Sequence, residues 1–455
     1  HMVDGVILLV DAREGTMPQT RFVLKKALEA NLKPIVVINK VDRENVRIDE
    51  VIDEVLELFI DLGATDEQID FPIIYASALN GTSSYSEDLS TQKHTMEPIF
   101  ETIINTIPEP SGKVDAPLQF QPALLDYNDY VGRIGVGTIA NGTIKTGEMV
   151  SCVRLDGTIK QFRVQKLFGF TGIKKQEIES ASAGEIVGIS GLPDISVGET
   201  VCEIGKEDAL PILKIEEPTL KMTFGVNTSP FSGKEGKLLT ARKIEERLMK
   251  ELEKDVSLRV EQKDAENWIV SGRGELHLSI LIENMRREGF ELQVSKPEVI
   301  VKEIDGVKCE PYEEVLIEAP TETVGAVIES LASRDGQMIN MKSHETNTKL
   351  EYLVPSRGLI GFVNEFLILT KGYGIINHTF KEYGPVNPNP VGERKLGVLV
   401  SMENGKATAY GLGALEDRGI MFIEPGTEVY EGMIVGENNR DNDLAVNVTK
   451  AKNLT

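Results

Sequence analysis

The tetrapeptide Asn39-Lys40-Val41-Asp42 directly follows the apolar run Pro34-Ile35-Val36-Val37-Ile38. A continuous apolar run of this kind is typical of a buried parallel strand, and open α/β sheets bind ligands at the carboxyl ends of their strands. The carboxylate of Asp42 can accept hydrogen bonds from both N1–H and the 2-amino group of guanine, whereas adenine offers no such pair of donors. Because a site built for two hydrogen bonds rejects a base that cannot make them, the pattern predicts a guanine-reading loop.

Two neighbours of Asp42 have supporting roles in this interpretation. Asn39 is expected to tie the loop to adjacent chain, and the apolar stem of Lys40 can lie on a face of the base. On its own, a four-residue pattern also fits a solvated turn between a strand and a helix.

A second strand-and-loop unit favours the nucleotide interpretation. The apolar segment Phe71-Pro72-Ile73-Ile74-Tyr75-Ala76 ends in Ser77-Ala78-Leu79-Asn80-Gly81. Between the two units, apolar residues recur at helical spacing from Val51 to Ile60. The order strand, loop, helix, strand, loop is the one that a nucleotide-binding α/β domain needs. The N–H of Ala78 is therefore predicted to donate a hydrogen bond to guanine O6.

The phosphate-binding half of such a domain does not occur in the sequence. No G-x-x-x-x-G-K-[ST] motif is present, and the chain reaches the strand-like run Val6-Ile7-Leu8-Leu9-Val10 within a few residues of His1. That motif cradles the phosphates, and its hydroxyl holds Mg²⁺. We therefore expect the chain to be a fragment that lacks the front of its G domain.

Composition limits the class of protein. The 41% hydrophobic and 27% charged content is that of globular domains, and no apolar run approaches the ~18 residues of a membrane span. The three cysteines form no C-x-x-C pair and the five histidines show no metal spacing, so we expect no metal site and a cytoplasmic location. The net charge of −23 argues against general nucleic-acid binding and leaves only local basic spots.

The chain is predicted to be multidomain, with α/β and β architecture, and its segments follow one another with short linkers. We predict the C-terminal part of a P-loop-type G domain, a β-barrel, two split-βαβ (ferredoxin-like) α+β domains, and a β-rich C-terminal domain that is truncated. The respective bounds are residues 1–110, 116–206, 216–304, 308–384 and 390–455. Single strands are expected over residues 161–167 and 291–301, and a single helix over residues 359–369.

Specific stretches resemble a known family. Met17-Pro18-Gln19-Thr20-Arg21 and the segment from Ser271 to Leu278 are similar to translational GTPases related to elongation factor G. The stretches 226–231, 355–362 and 426–437 resemble the BipA/TypA family of ribosome-binding GTPases, and the last lies in a domain that elongation factor G does not have. The resemblance covers the whole chain. An elongation translocase is disfavoured, because its decoding-site domain would separate the two split-βαβ domains, which are here joined almost directly.

The resemblance implies a GTPase that binds the ribosome (70S or 50S) and assists large-subunit assembly or translation under stress. GTP or GDP with Mg²⁺ would be the ligand of the intact protein, which would be a cytoplasmic monomer without membrane contact. Carried over by motif, Asn39, Lys40 and Asp42 would read guanine, while Ser77, Ala78 and Leu79 would close the base pocket. The catalytic residues would lie in the front that is missing, so none is expected here, and this chain is expected not to hydrolyse GTP or to bind the nucleotide tightly.

The resemblance also implies contacts with rRNA and tRNA. The candidates are Arg273 and His277, at the start of a helix, and Lys450, Lys452 and Asn453, at the end of the chain. A capped, packed helix and a frayed terminus are the structural alternatives for the two groups. The functional alternative to a GTP-switched factor is a nucleotide-independent ribosome-binding or RNA-binding scaffold.

Overall fold

The computed structural model describes residues 1–391 and 393–452. Its first sheet has the order β1-β2-β3-β4, in which the first three strands are parallel and the fourth is antiparallel to the third. The strands are β1 (Gly5–Asp11), β2 (Lys33–Asn39), β3 (Ile73–Ser77) and β4 (Thr82–Ser84). The helices are α1 (Pro18–Glu29), α2 (Ile48–Asp61), α3 (Asp66–Ile69) and α4 (Glu97–Thr106), with a 3-10 turn at Leu89–Thr91.

The core of this first unit forms where the apolar side of helix α2 packs against the sheet. Val51, Val55 and Phe59 of α2 are fully buried, and their spacing of four residues places them on one side of the helix. They pack against Leu8 and Val36 of the sheet. The apolar run that predicts β2 is buried throughout, as expected for a central parallel strand.

The second unit is all β. Eight of its strands form one sheet in the order β11-β10-β13-β6-β5-β14-β8-β9, and β7 pairs with β12. The strands are β5 (Gln119–Asn128), β6 (Gly132–Asn141), β7 (Thr143–Lys145), β8 (Met149–Val153), β9 (Ile159–Arg163), β10 (Lys166–Thr171), β11 (Lys174–Glu177), β12 (Ser180–Ser182), β13 (Ile186–Ser190) and β14 (Thr200–Cys202).

Two expectations for this unit are corrected by the strand pairing. The single strand predicted over residues 161–167 is two strands, β9 and β10, which lie at different places in the sheet. Val164 marks the break, because its N–H and carbonyl bond to the turn at Gly147 and Glu148. The end strands β9 and β11 do not pair with each other, so hydrogen bonding among the described strands does not close the sheet into a ring.

The third unit has a five-stranded antiparallel sheet with two helices on one side. Its elements are β15 (Leu220–Gly225), α5 (Ala241–Leu252), β16 (Arg259–Gln262), β17 (Asn267–Gly272), α6 (Glu275–Arg287), β18 (Gln293–Val294) and β19 (Glu298–Val299). The strand predicted over residues 291–301 is interrupted, and both pieces pair with β15. Pro297 lies in the interruption, where a residue without an N–H cannot continue a ladder.

The fourth unit repeats this order with longer strands. Its elements are β20 (Lys302–Ile304), β21 (Val307–Pro320), a 3-10 turn (Thr321–Thr323), α7 (Val324–Ser333), β22 (Gln337–Ser343), β23 (Asn347–Pro355), α8 (Ser356–Leu359), α9 (Phe362–Leu369) and β24 (Ile375–Pro385). The helix predicted over residues 359–369 is two helices. Gly361 separates them with φ of +74°, a left-handed conformation that ends a right-handed helix.

The last unit carries two small sheets and one short helix. The order of the larger sheet is β27-β29-β25-β30, and β26 pairs with β28. The elements are β25 (Val398–Ser401), β26 (Gly405–Lys406), α10 (Ala409–Gly413), a 3-10 turn (Glu416–Arg418), β27 (Gly419–Met421), β28 (Glu428–Val429), β29 (Ile434–Asn438) and β30 (Leu444–Val446). Among the described residues, no helix is long and apolar enough to cross a bilayer.

The fourth unit packs on the first through one face of its sheet. Val315, Ile317 and Ala319 of β21 enter the core of the fourth unit, so Glu314, Leu316 and Glu318 point to the opposite face. Helix α1 lies against β21 and β24 on that side. Two ion pairs cross the contact, Lys25 to Glu314 at 3.5 Å and Lys342 to Asp61 at 3.6 Å.

The last unit is joined to the third by an aromatic and ionic contact. The rings of Phe231 and Tyr430 meet edge to face, with centroids 4.9 Å apart. Lys234 lies 4.2 Å from the centroid of the Phe231 ring and forms an ion pair of 2.8 Å with Glu428. Phe231 and Lys234 thus connect the third unit to β28 and to the residue that follows it.

The linker into the last unit is fixed by Arg357. Its guanidinium donates to the carbonyl oxygens of Asn387 at 3.0 Å and Asn389 at 2.9 Å, and it pairs with Glu310 at 3.2 Å. The Glu310 side chain is only 1% exposed, so Arg357 is the group that compensates a buried carboxylate. The arginine therefore joins the fourth unit to the segment that leads to the fifth.

Replacing Arg357 with alanine should lower the stability of the fourth unit by about 3–5 kcal/mol, because the buried Glu310 loses its partner. Differential scanning calorimetry of the whole chain measures this as a downward shift of one transition. The matched control is Arg394→Ala, which breaks an exposed pair with Asp443 and should cost under about 1 kcal/mol. Equal shifts for the two variants would contradict this role of Arg357.

Candidate guanine-nucleotide site

The two loops predicted to bind guanine lie side by side at the carboxyl ends of β2 and β3. Asn39 is paired with Ala76 in the register of the two parallel strands. The side-chain Oδ1 of Asn39 accepts a hydrogen bond of 3.0 Å from the N–H of Ala78, and the N–H of Val41 donates to the Ala76 carbonyl at 3.3 Å. The structure thus brings the two sequence motifs together and gives Asn39 the tying role expected of it.

Lys40 is held in an unusual conformation by an ion pair. Its φ is +64°, in the left-handed region that costs energy for a residue with a Cβ. Its Nζ lies 2.7 Å from Oδ2 of Asp11, at the end of β1. Burial alone would raise the pKa of Asp11, but hydrogen bonds from Lys40 and from the N–H groups of Arg13 and Glu14 outweigh it, so the net pKa is lowered. Asp11 therefore stays ionised and anchors Lys40.

Asp42 lies at the exposed rim of the two loops. Its Oδ2 accepts a hydrogen bond of 3.2 Å from the side-chain amide of Asn80. The side chain of Asp42 is exposed, and Leu79 across from it is 91% exposed. Each carboxylate oxygen can accept more than one hydrogen bond, so Asp42 can still accept from both the N1–H and the 2-amino group of a base, and its position fits the predicted guanine contact.

The Ala78 N–H, which was predicted to donate to guanine O6, has a partner within the protein. It donates to Asn39 Oδ1, so a bond from this group to guanine O6 is not preformed. Among the described residues, the next amide, the Leu79 N–H, forms no hydrogen bond. Ser77 is buried, and its hydroxyl accepts from the Asn80 N–H at 3.3 Å, which shapes the turn that follows β3.

Sequence reasoning missed two residues of this site, Asp11 and Asn80. Asp11 ends the first apolar strand, and an aspartate at that place belongs to the same sheet edge as Asn39, which is a usable signal. Asn80 lies within the turn already identified, but the sequence does not show that its amide faces Asp42.

The described residues do not fit a Mg²⁺ site. No group of three His, Cys, Asp or Glu side chains within residues 1–391 and 393–452 is placed to hold a metal ion. The Ser or Thr of the phosphate loop, which supplies a magnesium ligand in P-loop proteins, has no counterpart in this sequence.

His277, one of the predicted RNA contacts, is bonded on both ring nitrogens inside the third unit. Its Nδ1 accepts from the N–H of Arg273 at 3.1 Å, so the ring proton is on Nε2, which donates to Asp255 Oδ2 at 2.5 Å. These contacts fix the start of α6, as the structural alternative expects. The Arg273 side chain is exposed, and within the described chain it forms no ion pair.

The predicted RNA contacts at the chain end lie in the fifth unit. Lys450 and Lys452 are exposed, and the Lys450 carbonyl accepts from the hydroxyl of Thr408. Asn453 lies outside the described residues. No hydrogen bond or ion pair between described residues links either lysine to Arg273 or His277. Their contact with RNA stays a prediction.

The stability of the third unit should depend on pH through Asp255. Burial would raise its pKa, but hydrogen bonds from His277 and Ser257 prevail and lower it from 3.8 to about 2. A lowered folded-state pKa stabilises the fold fully above the unfolded value, and this contribution is lost as pH falls from about 3.8 to about 2.

Asp255→Asn should therefore be less stable than the native chain by about 2 kcal/mol near neutral pH, and this difference should shrink below pH 3.8. Urea unfolding followed by the fluorescence of the buried Trp268 reports on this unit. The exposed Glu261→Gln serves as control. A difference between native chain and Asp255→Asn that is the same at pH 3 and pH 7 would contradict the assignment.

Five family models match the chain in sequence order. They are described as Elongation factor Tu GTP binding domain (residues 1–109), Elongation factor Tu domain 2 (132–202), Elongation Factor G, domain III (237–296), Elongation factor G C-terminus (307–394) and TypA/BipA C-terminal domain (396–455). The chain is thus multidomain, with α/β and β-rich parts, as predicted.

Curated relatives match the chain over its full length. A protein of Bacillus subtilis named large ribosomal subunit assembly factor BipA is 63% identical over 456 residues, which cover 100% of this chain and 74% of that protein. Proteins of the same name from Synechocystis and from Escherichia coli K12 are each 50% identical, again over 100% of this chain, and the match covers 76% and 75% of their lengths.

Proposed function

The chain belongs to the BipA/TypA family of translational GTPases, which confirms the resemblance of its motifs, and we propose that it binds guanine nucleotides and acts as an assembly factor of the large ribosomal subunit. The observation that supports the nucleotide part best is the joining of two sequence-distant loops by the hydrogen bond from Ala78 to Asn39. The name shared by the relatives supports the ribosomal part.

In this proposal, the two loops that would surround the guanine base, residues 39–42 and 77–80, form the base site, and each of its residues has a separate role. Asp42 accepts from N1–H and the 2-amino group of guanine, and the Lys40 stem lies along the base. Ser77, Ala78 and Leu79 form the wall at O6, where the Leu79 N–H is the free donor. Asn39 and Asn80 hold the wall and the carboxylate in place.

Hydrolysis is assigned to no residue of this chain. When bound, GTP with Mg²⁺ would supply the switch that a translational GTPase uses, since the γ-phosphate orders segments that relax after hydrolysis. The residues present here contribute guanine recognition and the surfaces of the four following units. For the 455 residues as they stand, we expect weak guanine binding and negligible GTP turnover.

The ribosomal part of the proposal concerns the exposed cations. Arg273, Lys450 and Lys452 are exposed on a chain of net charge −23, and cations that meet RNA phosphates make binding depend on salt. We propose them as contacts with rRNA or tRNA during assembly of the subunit or during translation under stress. We propose a cytoplasmic monomer.

One observation favours the alternative, a scaffold that binds ribosomal RNA without nucleotide. The sequence contains no G-x-x-x-x-G-K-[ST] motif, so these 455 residues do not supply the phosphate contacts that P-loop GTPases use. A comparison of nucleotide affinities decides between the two functions.

Asp42→Asn should change the preference from guanine to xanthine, because the amide donates to the 2-oxo group of xanthine where the carboxylate accepted from the 2-amino group. We expect the ratio of GDP to XDP affinity to fall by about tenfold or more, the loss of a charged hydrogen bond. Equilibrium dialysis with both nucleotides measures this ratio at the high concentrations that a site without phosphate contacts needs.

The control for this test is Glu44→Gln, which removes an exposed charge two residues further along the same loop. Its ratio should equal that of the native chain. An Asp42→Asn chain with an unchanged ratio would show that Asp42 does not read the base. Binding of neither nucleotide by the native chain would favour the scaffold.

A further inference from the structure

A chain of polar contacts starts at Lys40 and leads away from the base site. Asp11 uses one carboxylate oxygen for Lys40 at 2.7 Å. Its other oxygen accepts from the N–H groups of Arg13 at 2.8 Å and Glu14 at 3.2 Å. The position of Lys40 is therefore bound to the conformation of the loop between β1 and α1.

The same loop is held from its other side by α2. Arg47, just before α2, donates to the carbonyl oxygens of Arg13 at 2.7 Å and Glu14 at 3.0 Å. It also forms an ion pair with Glu54. Glu54 Oε2 in turn accepts from the N–H of Thr16 at 3.0 Å. The loop from Asp11 to Gly15 is thus held at its start by the Asp11 carboxylate and at its end by the Glu54 carboxylate.

Gly15 makes this close approach possible. Its φ is +75°, and a Cβ at this position would lie 2.1 Å from Glu54 Oε2. A side chain here would push the loop off the glutamate. The close approach at Gly15 thus ties the position of the loop to that of Glu54 on α2.

The last contact crosses to the fourth unit. Lys349 of β23 donates from Nζ to the Thr16 carbonyl at 3.1 Å and lies 3.4 Å from the Thr16 hydroxyl. Its cross-strand neighbour Glu318 is 8% exposed, and Glu318 Oε2 has no partner among the described residues. Burial raises the pKa of Glu318, which favours its neutral form. The positive charge of Lys349 acts to lower the pKa of both Glu318 and Glu54, while its Nζ donates to Thr16.

We propose that Lys349 is a positioning residue for the guanine site, through which the fourth unit fixes the loop from Asp11 to Thr16 and, by way of Asp11, the side chain of Lys40. The nucleotide half of this proposal rests on the proposed guanine-binding function. Coupling of this kind is reciprocal, so a bound guanine nucleotide tightens the contact between the first and fourth units by the same factor. The base site thereby reports its occupancy to a unit that does not touch the base.

The matched control is built into the sheet. Lys342 is the cross-strand neighbour of Lys349 on β22 and lies at the same contact, where it pairs with Asp61 at 3.6 Å. Asp61 is the last residue of α2, at the opposite end from Arg47, so Lys342 does not hold the loop. Lys342→Met removes an interdomain cation without cutting the contacts to Lys40.

The first experiment is amide hydrogen exchange without nucleotide on the whole chain. Lys349→Met should speed exchange of the Arg13, Glu14 and Thr16 amides by about tenfold, the loss of one charged hydrogen bond. Exchange around Lys40 should rise in parallel, whereas Lys342→Met should leave both segments unchanged. Lys349→Arg, which keeps the charge, should restore protection. Unchanged exchange in Lys349→Met, or an equal change in Lys342→Met, would overturn the proposal.

Folding of the variants is read from the same exchange data, because β21 amides stay protected only if the sheet is intact. Should Lys349→Met lose that protection, Lys349→Gln is the second variant. It keeps a polar group on the sheet but ends one bond short of the Lys349 Nζ. The same loosening of the loop is expected for it, and full protection of the loop in Lys349→Gln would overturn the proposal.

The second experiment adds GDP. Lys349→Met should weaken GDP binding by about fivefold, within the usual range of coupling between sites, and Lys342→Met should not. An equal GDP affinity for the native chain and Lys349→Met would overturn the coupling. If the native chain binds no GDP while the exchange result holds, the proposed guanine function fails and the contact chain stands, so the two failures are distinguishable.

Discussion

The hydrogen bond from the Ala78 N–H to Asn39 is the contact on which the base site depends. It joins the ends of two neighbouring parallel strands, which bring residues 39 positions apart in sequence to 3.0 Å. Once the loops are joined, the Asn80 amide reaches Asp42 and the Ser77 hydroxyl supports the turn. In the proposed function, guanine recognition is thus a property of the sheet edge and needs both loops.

The segments by which the chain resembles its family serve largely as joints between units. Phe231 and Tyr430, from two of those stretches, contact each other across the third and fifth units. The Gly361 N–H, from a third stretch, donates to Glu275 at 3.3 Å in a fourth. Arg357 fixes the linker. These joints fix the third, fourth and fifth units relative to one another.

Local patterns predicted the sheet edge of the base site, since β2 is a continuous buried run and β3 ends in its loop. The sequence patterns did not predict interruptions of a helix or strand that depend on a single residue. Gly361 divides one predicted helix into α8 and α9, and Pro297 lies where one predicted strand is interrupted. Contacts between units could not be predicted from the sequence, because residues such as Lys349 and Thr16 meet only after two domains pack against each other. The role of His277 could not be predicted from its motif, because a histidine there can either fix the start of a helix or contact a ligand.

The most direct test of the account is a nuclear magnetic resonance footprint of the base site in the intact chain. Backbone amide resonances of residues 39–42 and 77–80 are followed while GDP or ADP is added at equal concentration. If Asp42 and the Leu79 amide read guanine, GDP shifts both loops together, with the Leu79 amide among the largest changes, and ADP leaves them in place. Equal shifts with the two nucleotides, or GDP shifts confined to other parts of the chain, would contradict it.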